Sequence, residues 1–303
     1  MALSFWQKIY LLYQVNATLQ LVPNFLIALV IAVQKTLRAK KEFIIIGALA
    51  MADFLNGCAL FTAGFHRSIL LLQDETNQTT PTVRECLLRV YNVLWSFDDP
   101  LSVWMLALIS FDRLLDYSLI MAGSLYAYCI LTGAAGVIVS YSWPSSYTDY
   151  LECSTYAAWN DSFLTYTNWS LMIGPILSVV LYVGVLIGWF KNRQPTGTVS
   201  NSESKMSRKI TRTLSMITVT TFVFVVIPRG LLWWDNEADW IGYELSFGLY
   251  IVSQFNPMFN LFIYWKALLP VRMGLRYTVQ CKGQMPDNLD VIKKRSNKVE
   301  QAK

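Results

Sequence analysis

Apolar residues along this chain are grouped in long, nearly uninterrupted blocks rather than alternating with polar ones. A helix needs about 20 predominantly apolar residues to cross the hydrocarbon core of a bilayer. Seven blocks of roughly that length can be delimited, at 9–33, 43–70, 86–111, 120–142, 168–190, 210–234 and 244–265. The pattern predicts an all-α membrane protein: a bundle of seven transmembrane helices, with a short amphipathic helix after the seventh.

The ends of this pattern define the domain organisation. The first ten residues, MALSFWQKIY, lack the charged region and cleavage site of a signal peptide, so we expect the first block to remain as an anchor. We assign 1–281 to one transmembrane domain. The polar, charged segment 282–303 is expected to be a disordered cytoplasmic tail.

Composition agrees with a membrane location. The chain is 54% hydrophobic and 15% charged, with a mean hydropathy of +0.37, whereas soluble domains average about 25% charged residues. The fourth block is the least typical, because it is rich in Gly, Ala, Ser and Tyr. Small residues of this kind let transmembrane helices pack closely, so we expect that block to lie against other helices.

The distribution of positive charge predicts the orientation. If the N-terminus is extracellular, the cytoplasmic segments hold 20 of the 25 Lys and Arg residues, and the exterior loops are acidic. Positive residues concentrate on the cytoplasmic side of membrane proteins. We therefore expect a multi-pass protein of the plasma membrane with its C-terminus in the cytoplasm. The net charge of +5 reflects this topology and gives no support to nucleic-acid binding.

Five positions are candidates for covalent modification. Cys86 opens the third block and Cys153 lies in the next exterior loop, where a disulfide between them would persist. Asn77 and Asn160 begin exterior sequons that could carry glycans. Cys281 follows a basic segment after the seventh block, where palmitoylation and a free thiol are both open.

Charged residues inside the blocks mark candidate functional sites, because each costs about 2.5–3.5 kcal/mol on insertion. The stretch SFDDPLSVW places two adjacent carboxylates directly before a proline, in the middle of the third block. The ionisable residues of most interest are Asp53, Arg67, Asp98, Asp99, Asp112, Arg113 and Arg229. The seventh block adds two amides, Asn256 and Asn260.

Six motifs follow one another in the order of the rhodopsin-like G-protein-coupled receptors. They are Asn24 in VPNFLIALV, Asp53 in LAMADFLNG, the triplet Asp112, Arg113 and Leu114, Pro175 in IGPILSVV, Pro228 in VVIPRG, and Asn260 to Tyr264 in NLFIY. The chain resembles that family from residue 9 to about 280, and its residue pattern is similar to that of nematode serpentine chemoreceptors. The resemblance implies an extracellular ligand, a heterotrimeric G protein and arrestin as partners, and no catalytic activity.

The resemblance also has departures. Leucine replaces tyrosine after Arg113 and proline after Asn260. The spacing from Cys86 to Arg113 is two residues longer than is usual in the family. Because proline removes a backbone hydrogen bond and clashes with the carbonyl four residues earlier, we expect a distortion near Pro100 to absorb the difference.

The resemblance implies a polar pocket of the kind that holds sodium in this family. Its members here are Asp53, Asp98, Ser102, Asn256 and Asn260. All offer hard oxygen ligands, which suit a small alkali cation. Facing carboxylates repel, so either an allosteric Na⁺ lies between them or one carries a proton within a water-filled cluster.

Asp99 is rotated by about 100° from Asp98 on a helix and should face the bundle centre. Trp95 lies one turn above it, so the pair could bind a cationic ligand by charge and cation–π contact. The alternative is that Asp99 pairs with Arg67 or Arg229, or with water.

The cytoplasmic residues resemble the family's G-protein switch. Arg113 would be neutralised by Asp112 in the inactive state and meet Tyr264 in the active state. A snorkelling arginine would occupy the same position. Four residues resemble the family's connector between pocket and switch: Val103, Pro175, Phe222 and Pro228. Ordinary core packing is equally consistent with these residues.

Three other function classes fit less well. A retinal protein needs a lysine inside the seventh helix, and none precedes Lys266. A transporter would usually show paired repeats and broken helices, and the sequence predicts neither. An intramembrane enzyme lacks its usual parts, because the chain has a single histidine, His66, and no cluster of metal ligands. The alternative that we retain is a non-retinal seven-helix transporter or scaffold without G-protein coupling.

Overall fold

The computed structural model describes residues 5–72, 81–115, 118–142, 153, 155–191, 213, 215–238, 243–267 and 269–280. The regular elements in these ranges are helices, which confirms the all-α expectation. The main helices are α1 Phe5–Val33, α2 Lys41–Leu70, α3 Val90–Leu115, α4 Ser118–Ser142, α5 Asp161–Lys191, α6 215–238, α7 in two pieces (Tyr243–Ser253 and Asn256–Ala267) and α8 Leu269–Val279. Short helices lie at Lys35–Arg38, Val83–Leu87 and Thr155–Ala158.

Six of the described helices, α1 to α6, are long and apolar enough to cross a membrane. This number indicates a multi-pass membrane protein, as expected, but it is not the predicted seven. The difference lies in the seventh block, which folds as two helices of 11 and 12 residues instead of one continuous helix.

The break in α7 has a local cause and a long-range one. Pro257 has no N–H to donate, and the N–H groups of Gln254, Phe255 and Met258 each bond to a carbonyl only three residues back. The Gln254 carbonyl instead accepts the side-chain amides of Asn16 at 3.0 Å and Gln20 at 2.6 Å. The expectation that the chain has no broken helix is therefore wrong for α7.

Helix α6 contains a second irregularity. Residues Phe222–Val226 form a π-helical turn, in which the Ile227 N–H donates to the Phe222 carbonyl five residues back. Pro228 follows directly. A widened turn at this place relieves the clash that proline makes with the carbonyl four residues earlier.

Helix α3 is continuous through Pro100, contrary to our expectation of a distortion there. Cys86 also does not open this helix; it lies in the separate helix Val83–Leu87, and α3 begins at Val90. The turn at Leu88 and Arg89 therefore takes up the longer spacing. A helix can lose the single bond that proline removes without changing its number of residues per turn.

The helices pack as neighbours along the chain. Helix α2 packs against α1 and α3, α3 also against α4 and α5, and α6 against α5 and α7. On α4, an added Cβ at Gly133 would meet the Phe97 ring and the Ser96 carbonyl, and one at Gly136 would meet the Phe163 ring. The expected packing of the fourth helix through small residues is thus confirmed.

Candidate functional site

Two buried carboxylates lie in the middle of the bundle. Asp53 on α2 is 2% exposed and Asp98 on α3 is 1% exposed. Asp53 accepts a long hydrogen bond of 3.5 Å from the Asn260 amide on α7, and Asp98 accepts one of 3.2 Å from the Ser102 hydroxyl one turn below. The structure therefore brings these predicted pocket residues together as two bonded pairs, Asp53 with Asn260 and Asp98 with Ser102.

Asn256, the fifth predicted pocket residue, bonds in another direction. Its side-chain oxygen accepts a hydrogen bond of 3.2 Å from Thr221 on α6, immediately before the π-helical turn. One turn further along each helix, the Phe224 and Phe259 rings stack with centroids 4.3 Å apart. Asn256 thus ties α7 to the irregular part of α6.

Several buried polar atoms of α1 and α7 have no hydrogen-bond partner among the described residues. They are both side-chain polar atoms of Asn24, the Oδ1 of Asn260 and the hydroxyl of Tyr264. Buried polar groups in proteins are nearly always satisfied, by water or an ion where the protein supplies nothing. The orphaned oxygens and the two carboxylates fit either a small cation or a water cluster.

Sequence reasoning missed residues that surround this cluster. Tyr126 on α4 lies near both Asp53 and Asp98, and its hydroxyl donates to the Ala48 carbonyl at 2.6 Å. Gln20 and Gln254 were missed as well, and Asn56 donates to both of their side-chain oxygens, at 3.4 and 3.1 Å. Amides spaced along apolar helices are the signal that could have identified the last three.

Asp99, the neighbour of Asp98 on α3, is half-buried, and the direction that its carboxylate faces stays a prediction. The Arg229 guanidinium lies 4.9 Å from the centre of the Tyr250 ring on α7. Within the described part of the chain, neither charged side chain has a hydrogen bond or an ion pair within 4.0 Å.

The aromatic residues above Asp99 form a buried group. Trp95 is 2% exposed and meets the Tyr91 ring edge-on at 5.8 Å. The Arg67 guanidinium lies 5.7 Å from the centre of the same Tyr91 ring and is buried. Trp95 therefore packs inside this buried aromatic group.

The predicted disulfide between Cys86 and Cys153 is present. The side-chain amide of Asn92 donates to the carbonyls of both cysteines, at 2.8 and 3.0 Å, and so holds this corner together. The adjacent helix begins with a capping box, in which Thr82 and Glu85 bond reciprocally. The bonds from the Thr82 backbone and hydroxyl hold the pKa of the Glu85 carboxyl below its usual value.

The structure tests the predicted switch only in part. The α3 backbone is helical through Asp112 and Arg113, but their side chains lie outside the described residues. Tyr264 is fully buried. Any contact between Arg113 and Tyr264 stays a prediction.

The connector residues do not form one continuous group. Val103 packs against Gly174, the residue before the buried Pro175. Phe222, by contrast, is 40% exposed and lies in the π-helical turn, and Pro228 is buried two residues beyond the end of that turn.

The modification sites also differ in what can be described. The side chain of Asn160 is only 8% exposed and caps α5, accepting the Ser162 N–H at 2.9 Å. Asn77 and Cys281 lie outside the described residues. Glycosylation and palmitoylation stay predictions.

Groups of three or more His, Cys, Asp or Glu side chains that could hold a metal ion do not occur among the described residues. Comparison with known proteins adds no further guide to function, since no protein-family model and no curated protein matches the chain.

Proposed function

We propose that this protein is a rhodopsin-like G-protein-coupled receptor that transmits the signal of an extracellular small molecule or peptide, such as a chemosensory cue, to a heterotrimeric G protein. The observation that carries the proposal is the arrangement of polar residues through the bundle. It comprises three buried pairs: Asp53 on α2 with Asn260 on α7, Asp98 with Ser102 on α3, and Asn256 on α7 with Thr221 on α6. Buried carboxylates inside apolar helices are costly and typical of a functional rather than a structural role.

The broken α7 is compatible with a seventh crossing. At 1.5 Å per residue, its two pieces together reach about 35 Å, enough for a hydrocarbon core of about 30 Å. At the break, the Gln254 carbonyl accepts hydrogen bonds from the Asn16 and Gln20 side chains of α1. Inside a membrane, the backbone polar groups of an irregular segment must be satisfied by the protein in this way. The proposal therefore includes a seven-crossing bundle with its N-terminus outside and α8 along the cytoplasmic surface.

Signal transfer would use the two irregular helices. A π-turn and a broken helix are places where a helix can shift at low cost, and here Thr221 and Asn256 connect them directly. Movement of the exterior half of α6 would be passed to α7 and to Tyr264. Arg113, at the cytoplasmic end of α3, would then bind the G protein.

A sodium ion fits the polar cluster as an allosteric ligand. Asp53, Asp98, Ser102 and Asn260 would supply hard oxygens, and the ion's positive charge would offset the repulsion between the two carboxylates. An ion held there would stabilise one arrangement of α2, α3 and α7.

A transporter is the second candidate, and one observation favours it. A discontinuous helix near buried carboxylates is a common feature of ion-coupled transport, and the second piece of the discontinuous α7 carries Asn260, which bonds to the buried Asp53. Uptake of labelled substrate without nucleotide exchange on any G protein would favour this reading.

The receptor proposal can be tested by a ligand screen in cells that report cAMP and calcium. We expect a compound that activates wild type and loses its effect on Arg113→Ala. Arg38→Ala is the matched control, because Arg38 is an exposed arginine in a predicted cytoplasmic segment outside the switch. A response that survives Arg113→Ala unchanged would contradict the switch.

A further inference from the structure

A groove of about 130 Å³ lies between α1, the second piece of α7 and α8. The side chains that line it are all apolar or aromatic. They include Pro23 and Val30 of α1, Leu261 and Trp265 of α7, and Val271 and Leu275 of α8. Trp265 is 48% exposed and Leu275 is half-buried, so the groove opens to the outside of the bundle.

Helix α8 is held against α1 beside this groove. A Cβ added at Gly274 would lie 2.8 Å from the Val30 side chain and 3.2 Å from that of Leu37, so the two helices approach here as closely as glycine allows. One turn further along α8, the Thr278 hydroxyl accepts a hydrogen bond of 3.1 Å from the Gln34 amide. Because these contacts already hold α8 at its closest approach to α1, a shift of α8 toward α1 cannot close the groove.

The size and depth of the groove fit part of a hydrocarbon chain. From Pro23 to Val30 its wall extends about 10 Å along α1. Val30 lies three residues before the end of α1, so the groove reaches from near the membrane surface into the hydrocarbon region. An apolar cavity of about 150 Å³ can bind a molecule such as benzene, and an unfilled one loses the contacts of its lining atoms. Bilayer acyl chains are present at this depth.

Basic residues flank the groove. On α7 and α8, the wall residues Trp265, Val271 and Leu275 are each followed directly by a basic residue. These are Lys266, Arg272 and Arg276, which we call the basic rim. A step of one residue along a helix rotates the side chain by about 100°, which places the rim beside the apolar walls. The segment 266–280 contains no Asp or Glu, so the local charge is positive.

The basic rim can accept an anion. The Nε of Arg272 is buried and has no hydrogen-bond partner among the described residues, while Lys266 and Arg276 are exposed. The short helix Lys35–Arg38, which packs against α8, adds two further basic residues. Positive charge predicts that this end of α1 is cytoplasmic, and the cytoplasmic leaflet is the one that carries anionic lipids.

We propose that the groove binds one acyl chain of an anionic phospholipid of the cytoplasmic leaflet, and that the basic rim binds the phosphate group of the same lipid. Charge favours this occupant. Sterols and phosphatidylcholine carry no net negative charge to pair with the rim, and a second copy of the chain on a twofold axis would bring two basic rims together. The proposal goes beyond the receptor function and applies equally to a transporter.

The test uses the full chain in nanodiscs of phosphatidylcholine that contain a trace of photoreactive lipid. The probes are phosphatidylserine and phosphatidylcholine with the same photoreactive acyl chain, and a photoreactive cholesterol. Mass spectrometry locates the labelled residues, and labelling around Val180 of α5, which is 61% exposed, corrects for general lipid contact. We expect phosphatidylserine to label the groove walls about fivefold or more above phosphatidylcholine, which is the effect of one basic residue near an anionic headgroup.

Variants assign the two parts of the site. Leu275→Trp should fill the groove and remove the labelling of its α1 and α7 walls, whereas Val279→Trp, one turn later on α8 and 68% exposed, should preserve it. The double variant Arg272→Gln and Arg276→Gln should reduce labelling by phosphatidylserine to the level of phosphatidylcholine. Lys8→Gln is the control for charge, because it removes an exposed cation at the opposite end of α1, and it should leave the preference intact.

The proposal is wrong if phosphatidylcholine labels the groove as strongly as phosphatidylserine, if cholesterol labels it more strongly, or if Leu275→Trp leaves the labelling unchanged. A dimer in light scattering that Leu275→Trp dissociates would assign the groove to a second copy of the chain instead. Labelling that appears only in a Cys281→Ser variant would assign it to an acyl group on Cys281. The comparison of lipids on wild type needs no variant to fold.

Discussion

At the scale of single residues, the adjacent carboxylates of α3 have separate environments. Asp98 is buried and accepts a hydrogen bond from Ser102, while Asp99 is half-buried and has no hydrogen bond from the described residues. This division was predictable from sequence, because neighbours on a helix are about 100° apart. It could be predicted in spite of Pro100, since the helix continues through the proline.

Sodium binding is predicted at this scale. Sodium chloride should raise the melting temperature of wild type in nanodiscs more than potassium chloride does, and Asp53→Asn should abolish the difference. At about tenfold above its dissociation constant, the ion would add ~1.4 kcal/mol to stability. Asp161→Asn, at an exposed acid on α5, is the control. If the two salts had equal effects on wild type, the buried carboxylates would be explained by a water-filled cluster and not by bound sodium.

At the scale of elements, the break in α7 depends on residues far away in the chain. Asn16 and Gln20 on α1 supply the hydrogen bonds that the Gln254 carbonyl does not receive within its helix. Pro257 alone could not have predicted the break, because Pro100 and Pro175 lie inside continuous helices. The long-range amide contacts distinguish the broken α7 from the helices that continue through a proline. The periodicity within one apolar block carries no information about such contacts.

Loss of the α1 amides should therefore destabilise the break. We expect Asn16→Ala and Gln20→Ala each to lower the free energy of unfolding by about 1–3 kcal/mol, because each leaves a buried polar group with fewer partners. Thr18→Ala, at an exposed position of the same helix whose hydroxyl bonds only to the Gln14 carbonyl, should have little effect. Thermal unfolding in nanodiscs measures all three. Equal melting temperatures would show that α7 does not depend on α1.

The position of α4 allows a matched test of packing. Gly133→Leu should cost about 1–3 kcal/mol, because a side chain there would meet Phe97 and the backbone of α3. Gly123→Leu on the same helix has open space around it and should be tolerated. The fraction of protein that remains monodisperse after heating compares the two. If the Gly123 variant were the less stable, α4 would pack differently from the structure described.

At the scale of the whole molecule, sequence predicted the helical class, six of the membrane-crossing helices and the disulfide. It misplaced the irregularity of the third block, which lies at Leu88 and Arg89. Hydrophobic blocks report burial in lipid or protein, and they do not distinguish a straight helix from a broken one. The orientation rests on the positive charges alone.

Orientation can be measured with two introduced cysteines. Arg84→Cys lies in the predicted exterior region and should react with a membrane-impermeant maleimide in intact cells. Arg38→Cys lies in the predicted cytoplasmic segment, is equally exposed in the structure, and should react only after permeabilisation. The opposite labelling pattern would place the N-terminus in the cytoplasm and remove the basis for a receptor.

The most direct measurement of the central claim is nucleotide exchange on purified heterotrimeric G proteins by the full chain in nanodiscs. With the compound selected by the cell screen, wild type should accelerate exchange on at least one class of Gα subunit, and Arg113→Ala should return it to the unstimulated rate. No acceleration with any class, or equal acceleration by the Arg113→Ala variant, would contradict the account.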